Sequence, residues 1–363
     1  MFNLYRILFK NFERIYLNYA VWQRRFFGTR ALMPIRAYVS LTFKCNCFCY
    51  FCSYAANSCQ DDFTGSPNRD ELSFDAVKDL SDQLPKGMLM TLTGGEPTIA
   101  KDFFKIVEYV SKRQKVQVNT NAVTLNKEKI GKLIDCGTWI INFSIDSHQK
   151  ELHDQIRGHQ GLSQRIIESI EEIVRIKKQR GMKRPYIHVN TVVLKETMAH
   201  LPDMVKLCLC LGVDGLSFAP HRDGRGIYDY GEADLLVLKE KLRESVELAE
   251  ASKMSLRLGE ELRSVDSILK ANGGPKRKMD MSPFACYAPW STIWIRPDGT
   301  VRICRAVLGN MKNDRIKNLW NNQVARNLRR TFYFGESELS KECQGCCIIN
   351  RKPAGVQKKG SAG

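Results

Sequence analysis

The sequence has no run of about 18 uninterrupted apolar residues, so it offers no candidate for a transmembrane helix. The first 30 residues also lack the continuous apolar core of a cleavable signal peptide, because arginines and lysines interrupt their apolar positions. With 363 residues, 43% hydrophobic and 26% charged, the composition excludes a disordered, collagen-like or repeat-fibre chain. We therefore expect a cytoplasmic protein of roughly two domains.

Acidic residues are scarce near both ends of the chain, and the net charge is +17. Residues 1–35 hold six basic residues and one acidic, residues 296–331 nine and two, and residues 351–363 four and none. Such charge attracts nucleic acid, an anionic membrane face or a phosphorylated substrate, although a solvated surface is the simpler interpretation. We expect residues 351–363 to form a flexible basic tail.

The N-terminal extension, residues 1–35, combines aromatic and basic side chains at helical spacing. Phe9, Phe12 and Tyr16 belong to the aromatic set, while Arg6 and Lys10 belong to the basic one. An amphipathic helix of this kind can lie peripherally in an anionic membrane surface or pack against its own domain. The pattern does not separate these two roles.

Cysteine is abundant, with 13 residues, and without an export signal we expect reduced thiols rather than disulfides. The clustered cysteines fall into two groups: Cys45, Cys49 and Cys52, and Cys343, Cys346 and Cys347. Clustered cysteines in such a protein indicate metal binding or catalysis. The first group has no histidine nearby to complete a zinc site. Three thiolates on one short loop suit an iron–sulfur cluster with one iron left open.

Hydrophobic periodicity predicts six strand–helix units between residues 36 and 225. The predicted strands are residues 36–43, 88–93, 115–119, 138–145, 186–194 and 214–219. Strands that alternate with helices predict a parallel sheet with right-handed crossovers, here an α/β fold with a partial, open (β/α)6 TIM-like barrel. Cysteine or polar motifs follow the first four strands, at the rim where barrels of this type build active sites.

A second, smaller α+β domain is predicted over residues 281–350, after a helical connector at 226–280. Between Cys286 and Cys304 two alternating strands flank Pro297-Asp298-Gly299, which is hairpin turn chemistry. A helix at about 316–331 follows. This arrangement can bring the C-terminal cysteine pair close to the hairpin.

The first motif, Cys45-x3-Cys49-x2-Cys52 with Phe51 inside it, and the Gly-Gly-Glu-Pro segment after the next strand resemble the radical S-adenosylmethionine (SAM) superfamily. The resemblance implies a 4Fe–4S cluster on the three cysteines, with SAM chelating the open iron. It further implies reductive cleavage of SAM to a 5′-deoxyadenosyl radical, which abstracts hydrogen from a substrate.

The resemblance also implies the SAM contacts. The segment of Gly94, Gly95 and Glu96 would bind the SAM amino group. Ser144 and Arg157 would bind its carboxylate, since a guanidinium forks onto a carboxylate. The other implied contacts are Asn119 and Asn121 with the ribose, and Val192 and Leu194 with the adenine.

The C-terminal region is similar to the SPASM domain, or to its shortened twitch form. The full form has seven cysteines and two auxiliary clusters, whereas this region has five cysteines. We infer one auxiliary 4Fe–4S cluster on Cys286, Cys304, Cys343 and Cys346. Cys347 is an alternative to Cys346, and a four-cysteine zinc site is the alternative to the cluster.

These observations predict a radical SAM enzyme with a small-molecule, sugar or lipid-linked substrate, since family members with one auxiliary cluster include alcohol dehydrogenases of aminocyclitol biosynthesis. The implied redox partner is a reductant of flavodoxin or ferredoxin type. The alternative is a peptide or protein maturase, although the roughly 35 residues before the first strand give no evident peptide-binding winged helix. RNA modification and a non-catalytic iron–sulfur scaffold are weaker alternatives.

Overall fold

The computed structural model describes residues 12–52, 71–221, 230–263, 265–270 and 288–334, together with residues 227 and 286. The strands are β1 (Arg36–Ser40), β2 (Leu89–Thr93), β3 (Lys115–Thr120), β4 (Ile140–Ser144), β5 (Tyr186–Val193), β6 (Gly215–Pro220), β7 (Ser255–Leu258), β8 (Thr292–Ile295), β9 (Thr300–Ile303) and β10 (Ala306–Asn310). They form one sheet in the order β10-β9-β8-β1-β2-β3-β4-β5-β6-β7.

The helices lie between and beyond these strands. They are α1 (Phe12–Phe27), α2 (Phe74–Gln83), α3 (Phe103–Ser111), α4 (Lys127–Asp135), α5 (Lys150–Arg157), α6 (Leu162–Gln179), α7 (Leu201–Cys210), α8 (Glu232–Ala251), α9 (Glu260–Arg263), α10 (Val265–Lys270), α11 (Ala288–Ser291), α12 (Ile316–Trp320) and α13 (Gln323–Phe334). Two short 3₁₀ turns span Pro97–Ile99 and Met198–His200. None of the helices in the described ranges is long and apolar enough to cross a membrane.

Strands β1 to β6 are parallel neighbours in chain order, which confirms the partial barrel predicted from the sequence. The predicted helical connector contains α8, α9 and α10, but it also contains β7, which pairs in parallel with β6. The prediction missed β7 because four residues following a 20-residue helix carry too little periodicity to show a strand.

The predicted hairpin is confirmed, with Gly299 at φ 86° in the turn between β8 and β9. The hairpin does not start a sheet of its own, because β8 pairs in parallel with β1 and so extends the barrel sheet. The expected helix at 316–331 is divided into α12 and α13. Asn321 lies at the break, and its side chain donates to and accepts from the main chain of Ala31.

The two faces of the barrel strands have opposite character. Outward-facing residues such as Val39, Leu92 and Phe143 lie under the helices in the main apolar core. On the inward face a small separate cluster of Leu89, Trp139, Ile140 and Tyr186 covers the end where the strands begin. Polar side chains occupy the inward face above this cluster: Thr91, Gln117, Asn119, Asn142, Ser144, His188, Asn190 and Ser217.

Helix α1 packs against the C-terminal part of its own chain. The Gln23 side chain donates to the Trp290 carbonyl (2.6 Å) and accepts from the Leu32 amide (2.5 Å). The Trp290 indole donates to the Gly28 carbonyl (3.2 Å). One face of the N-terminal extension therefore packs against its own protein. Of the two roles that the sequence left open, packing and membrane contact, this face has the first.

Candidate active site

The loop that carries Cys45, Cys49 and Cys52 directly follows β1. Nitrogen donors of the protein approach its sulfur atoms. The Asn121 side-chain amide donates toward Cys45 Sγ (3.8 Å), and the Arg157 guanidinium donates toward Cys49 Sγ (3.8 Å). Hydrogen bonds to sulfur stabilise thiolate ligands and tune the clusters that they hold.

The Gly-Gly-Glu-Pro segment lies directly against the start of this cysteine loop. The Gly95 amide donates to the Thr42 carbonyl (2.8 Å), and the Glu96 amide donates to the Lys44 carbonyl (2.9 Å). A Cβ atom on Gly94 would lie 2.4 Å from the Thr42 oxygen, and one on Gly95 would lie 2.1 Å from the Lys44 oxygen. Both glycines are therefore required because the two backbones approach too closely for a side chain.

Glu96 is buried, and its carboxylate accepts four hydrogen bonds from its own surroundings. Oε1 accepts from the Thr98 amide (3.1 Å), the Thr98 hydroxyl (2.6 Å) and the Thr120 hydroxyl (2.8 Å). Oε2 accepts from the Asn121 amide (2.7 Å). Burial raises the pKa of Glu96, while these bonds oppose that shift. The carboxylate thus connects the segments that follow β2 and β3. The contact of Glu96 with SAM stays a prediction.

Arg157 lies at the end of α5 and is buried, so its ion pair with Asp146 is not a surface salt bridge. Its Nε donates to Asp146 Oδ2 at 2.6 Å, and its guanidinium lies 5.3 Å from the Phe51 ring centre. Burial opposes the positive charge, but Asp146 and Cys49 outweigh it and raise the pKa of Arg157. Asp146 also accepts from the Val192 amide (2.9 Å). One carboxylate thus joins β4, α5 and β5.

The other predicted SAM contacts differ in their surroundings. Asn119, Ser144 and Val192 lie on the inward face of the sheet and are half-buried, whereas Leu194 is buried in the loop after β5. Asn119 Oδ1 accepts from the side-chain amides of Gln117 (2.8 Å) and Asn142 (3.1 Å). The structure therefore gathers three of these residues on one polar surface below the cysteine loop.

The loop after β1 offers three thiolates, the soft donors that iron–sulfur clusters take. Among the described residues, the side chains close enough to share one metal ion are His148, His200 and Asp203, within 4.8 Å of one another. Asp203 already pairs with Lys206 at 3.0 Å, so we assign no metal to that group. The assignment of Cys45, Cys49 and Cys52 to a 4Fe–4S cluster therefore rests on the chemistry of their thiolates.

Burial raises the pKa of Cys45 to about 11, and it also raises the pKa of Cys49. In the metal-free chain these thiols keep their protons at neutral pH, and ligation by iron would release them. Cys47 lies between them and is buried, and its sulfur accepts from the Asn121 side chain at 3.2 Å.

Cys286 and Cys304 lie at the end of the sheet opposite the cysteine loop. Cys286 precedes α11 and β8, and Cys304 directly follows β9, which runs antiparallel to β8. Both positions therefore lie where β1 begins, whereas the cysteine loop lies where β1 ends. Cys304 has φ 53°, a left-handed conformation at the turn into β10. The other predicted ligands, Cys343, Cys346 and Cys347, lie outside the described residues.

Comparison with known families identifies the class of protein that this site defines. The radical SAM superfamily matches residues 39–208, which span β1 to α7 and include the cysteine loop, Glu96 and Arg157. The chain belongs to the radical SAM superfamily, and it is a radical SAM enzyme. An iron–sulfur cluster-binding SPASM domain matches residues 286–347, from Cys286 to Cys347. The cofactors of this protein are therefore SAM and 4Fe–4S clusters.

Curated relatives and solved structures extend this result. The PqqA peptide cyclase of Bradyrhizobium diazoefficiens is 25% identical over 86% of this chain and 79% of its own length. An AdoMet-dependent heme synthase of Oleidesulfovibrio alaskensis is 26% identical, but the match covers 44% of this chain and only 40% of that protein. The SuiB structure of Streptococcus suis with S-adenosylmethionine has a TM-score of 0.63 at 17% identity, over 91% of this chain and 72% of that one.

Sequence reasoning expected a polar motif after the fourth strand but did not include Asp146 among the site residues. Its role depends on three elements that are distant in sequence and meet only in the fold. His188 was also missed as an inward-facing residue, where its Nε2 lies 2.7 Å from the Ser217 hydroxyl. The alternation of polar and apolar residues along β5 was the signal that could have revealed it.

Proposed function

We propose that this enzyme modifies a peptide substrate by radical chemistry. The observation that carries the proposal is the match to the peptide cyclase, which extends over both the barrel and the C-terminal region. SuiB, whose fold this chain shares, was also solved with its precursor peptide SuiA. These similarities support the maturase alternative better than the small-molecule, sugar or lipid-linked substrate that the cysteine count favoured.

The inward face of the barrel is chemically suited to a peptide. Side-chain amides of Gln117, Asn119 and Asn142 form one connected group there. On the same face the side chains of Asn119, Ser144 and Asn190 are half-buried. Their amide and hydroxyl groups can pair with the N–H and C=O groups of a peptide.

The residues of this chain have distinct proposed roles around that face. When bound, SAM and the iron–sulfur cluster supply a hydrogen-abstracting radical, and a flavodoxin- or ferredoxin-type partner supplies the electron. Asp146 holds the Arg157 guanidinium oriented for the SAM carboxylate. The cluster of Leu89, Ile140 and Tyr186 excludes water from the lower end of the inward face.

We also propose one auxiliary cluster that includes Cys286 and Cys304. Because these residues lie at the end of the sheet opposite the cysteine loop, a substrate on the inward face would lie between the two clusters. Iron analysis tests this arrangement: about eight irons per chain for two 4Fe–4S clusters, and about four in Cys304→Ser. An unchanged iron content in Cys304→Ser would reject that ligand.

The function is tested by co-expressing the chain with the short open reading frames that flank its gene and measuring peptide masses. We expect one peptide to change mass with the wild-type chain and with Cys210→Ser, since Cys210 is exposed and outside both cysteine groups. The same peptide should remain unmodified with Cys49→Ser. A flanking peptide that stays unmodified, together with turnover of a small molecule by the same protein, would return the assignment to the small-molecule alternative.

A further inference from the structure

The N-terminal extension, with its aromatic and basic residues, has a face that takes no part in the proposed function. Five of the thirteen exposed large apolar side chains in the described residues lie within an 18-residue span around α1: Ile15, Trp22, Phe26, Phe27 and Leu32. The Phe26 side chain is 63% exposed, although aromatic rings of this size are usually largely buried.

These rings form a contiguous patch. Trp22 lies 5.7 Å from Phe26 and 5.5 Å from Phe27, centre to centre. The opposite face of α1 is the one fixed to the protein, where Ala20 and Gln23 are buried. The helix is therefore held in place by one side and presents its aromatic side outward.

The chain segment that carries the patch has charges of one sign. From Arg14 to Ile35 the chain carries four arginines and no acidic residue. Arg25 and Arg30 are exposed, and the Arg25 guanidinium lies 5.8 Å from the Phe26 ring centre. Aromatic side chains beside arginines are the composition that enters the headgroup region of an anionic bilayer.

We propose that the exposed face of α1 binds the surface of a membrane rich in anionic lipid. The position of the helix limits what this contact can do. Helix α1 packs on α11, and the Ile35 amide donates to the Ser291 carbonyl (3.0 Å) where β1 and β8 begin. The cysteine loop follows the other end of β1. The contact is therefore an anchor at the end of the sheet opposite the cysteine loop, and it does not bring a lipid substrate to the SAM site.

Vesicle co-sedimentation of the full chain tests this proposal. We expect binding to vesicles of equimolar phosphatidylcholine and phosphatidylglycerol, and at least about tenfold weaker binding in a W22A/F26A/F27A variant. The matched control is L236A/V237A, which removes an exposed apolar pair from α8 and should bind like the wild type. Vesicles of phosphatidylcholine alone should bind weakly, because the arginine contribution is lost.

Two results would overturn the proposal. One is equal binding of the wild type and W22A/F26A/F27A to the anionic vesicles. The other is a dimer that W22A/F26A/F27A converts to monomer in sedimentation velocity, because the face would then be an interface between copies of this chain. Thermal unfolding of both variants checks that they fold. Neither readout depends on catalysis, so its outcome is independent of the proposed peptide chemistry.

Discussion

Two buried arginines, one at each end of the sheet, are stabilised in different ways. Arg157 at the rim is paired with the Asp146 carboxylate, which helps to raise its pKa. Arg329 in α13 meets neutral oxygen atoms, including those of Pro289 (2.7 Å) and Trp320 (2.8 Å), and burial lowers its pKa to about 9. The rim holds its guanidinium beside a carboxylate, whereas the opposite end uses a guanidinium to join segments of the chain.

The largest effect should come from the glycines of the rim. Gly95→Ala places a Cβ atom 2.1 Å from the Lys44 oxygen, so the cysteine loop must move. We expect iron in the radical SAM site to fall to background. The control is Gly131→Ala in α4, where nothing lies within 4 Å of the added atom. Normal iron loading in Gly95→Ala would show that the rim tolerates the displacement.

The next effect is on stability at the opposite end. Arg329→Met removes the donor to the Pro289 and Trp320 carbonyls, at a cost of about 1–3 kcal/mol for each buried acceptor left unsatisfied. We expect a large loss in the free energy of unfolding, measured by urea titration. Substituting its exposed neighbour, Arg330→Met, should cost much less. Equal losses in the two variants would contradict the role given to Arg329.

Arg157→Gln removes the positive charge that Asp146 holds at the rim. Hydrogen bonds to charged groups are worth about 1.5–3 kcal/mol, so SAM should bind roughly tenfold to a hundredfold more weakly. Equilibrium dialysis with the iron-loaded protein measures this change. Arg180→Gln removes a more exposed arginine that pairs with Asp135, and it should leave SAM binding intact. Wild-type SAM affinity in Arg157→Gln would refute the predicted carboxylate contact.

The smallest effect concerns pH and the inward face. Burial, helped by Arg257, lowers the pKa of His188 to about 3. Below the ordinary histidine pKa of about 6.5, His188 binds a proton in the unfolded chain but not in the folded chain. The free energy of unfolding therefore falls by about 1.4 kcal/mol per pH unit. His188→Gln should lack this loss, so the stability advantage of the wild type should narrow from pH 7 to pH 5.

Urea unfolding at both pH values measures this change. Ser217→Ala removes the hydroxyl partner of His188 without removing a titrating group, so its deficit should be nearly independent of pH. A wild-type advantage over His188→Gln that stays constant from pH 7 to pH 5 would contradict the assignment of a buried neutral imidazole.

Sequence patterns predicted the rim better than they predicted the opposite end. The cysteine loop and the Gly-Gly-Glu-Pro segment are local, so their spacing alone indicated them. The partners of Arg329 and of Gln23 lie hundreds of residues away or on main-chain atoms, which no local pattern reveals. The sequence analysis did not predict helix α5, because its eight residues are mostly polar. This helix places Arg157 beside Asp146. The continuity of β8 with β1 likewise required the fold.

We propose that this chain cleaves SAM reductively at the rim, and formation of 5′-deoxyadenosine is the direct readout of that reaction. Anaerobically reconstituted protein is incubated with SAM and dithionite, and the product is measured by mass spectrometry beside a Cys45/Cys49/Cys52→Ala variant. We predict product from the wild type and none from the variant. An iron-loaded wild type that neither binds SAM nor forms 5′-deoxyadenosine would exclude this reaction.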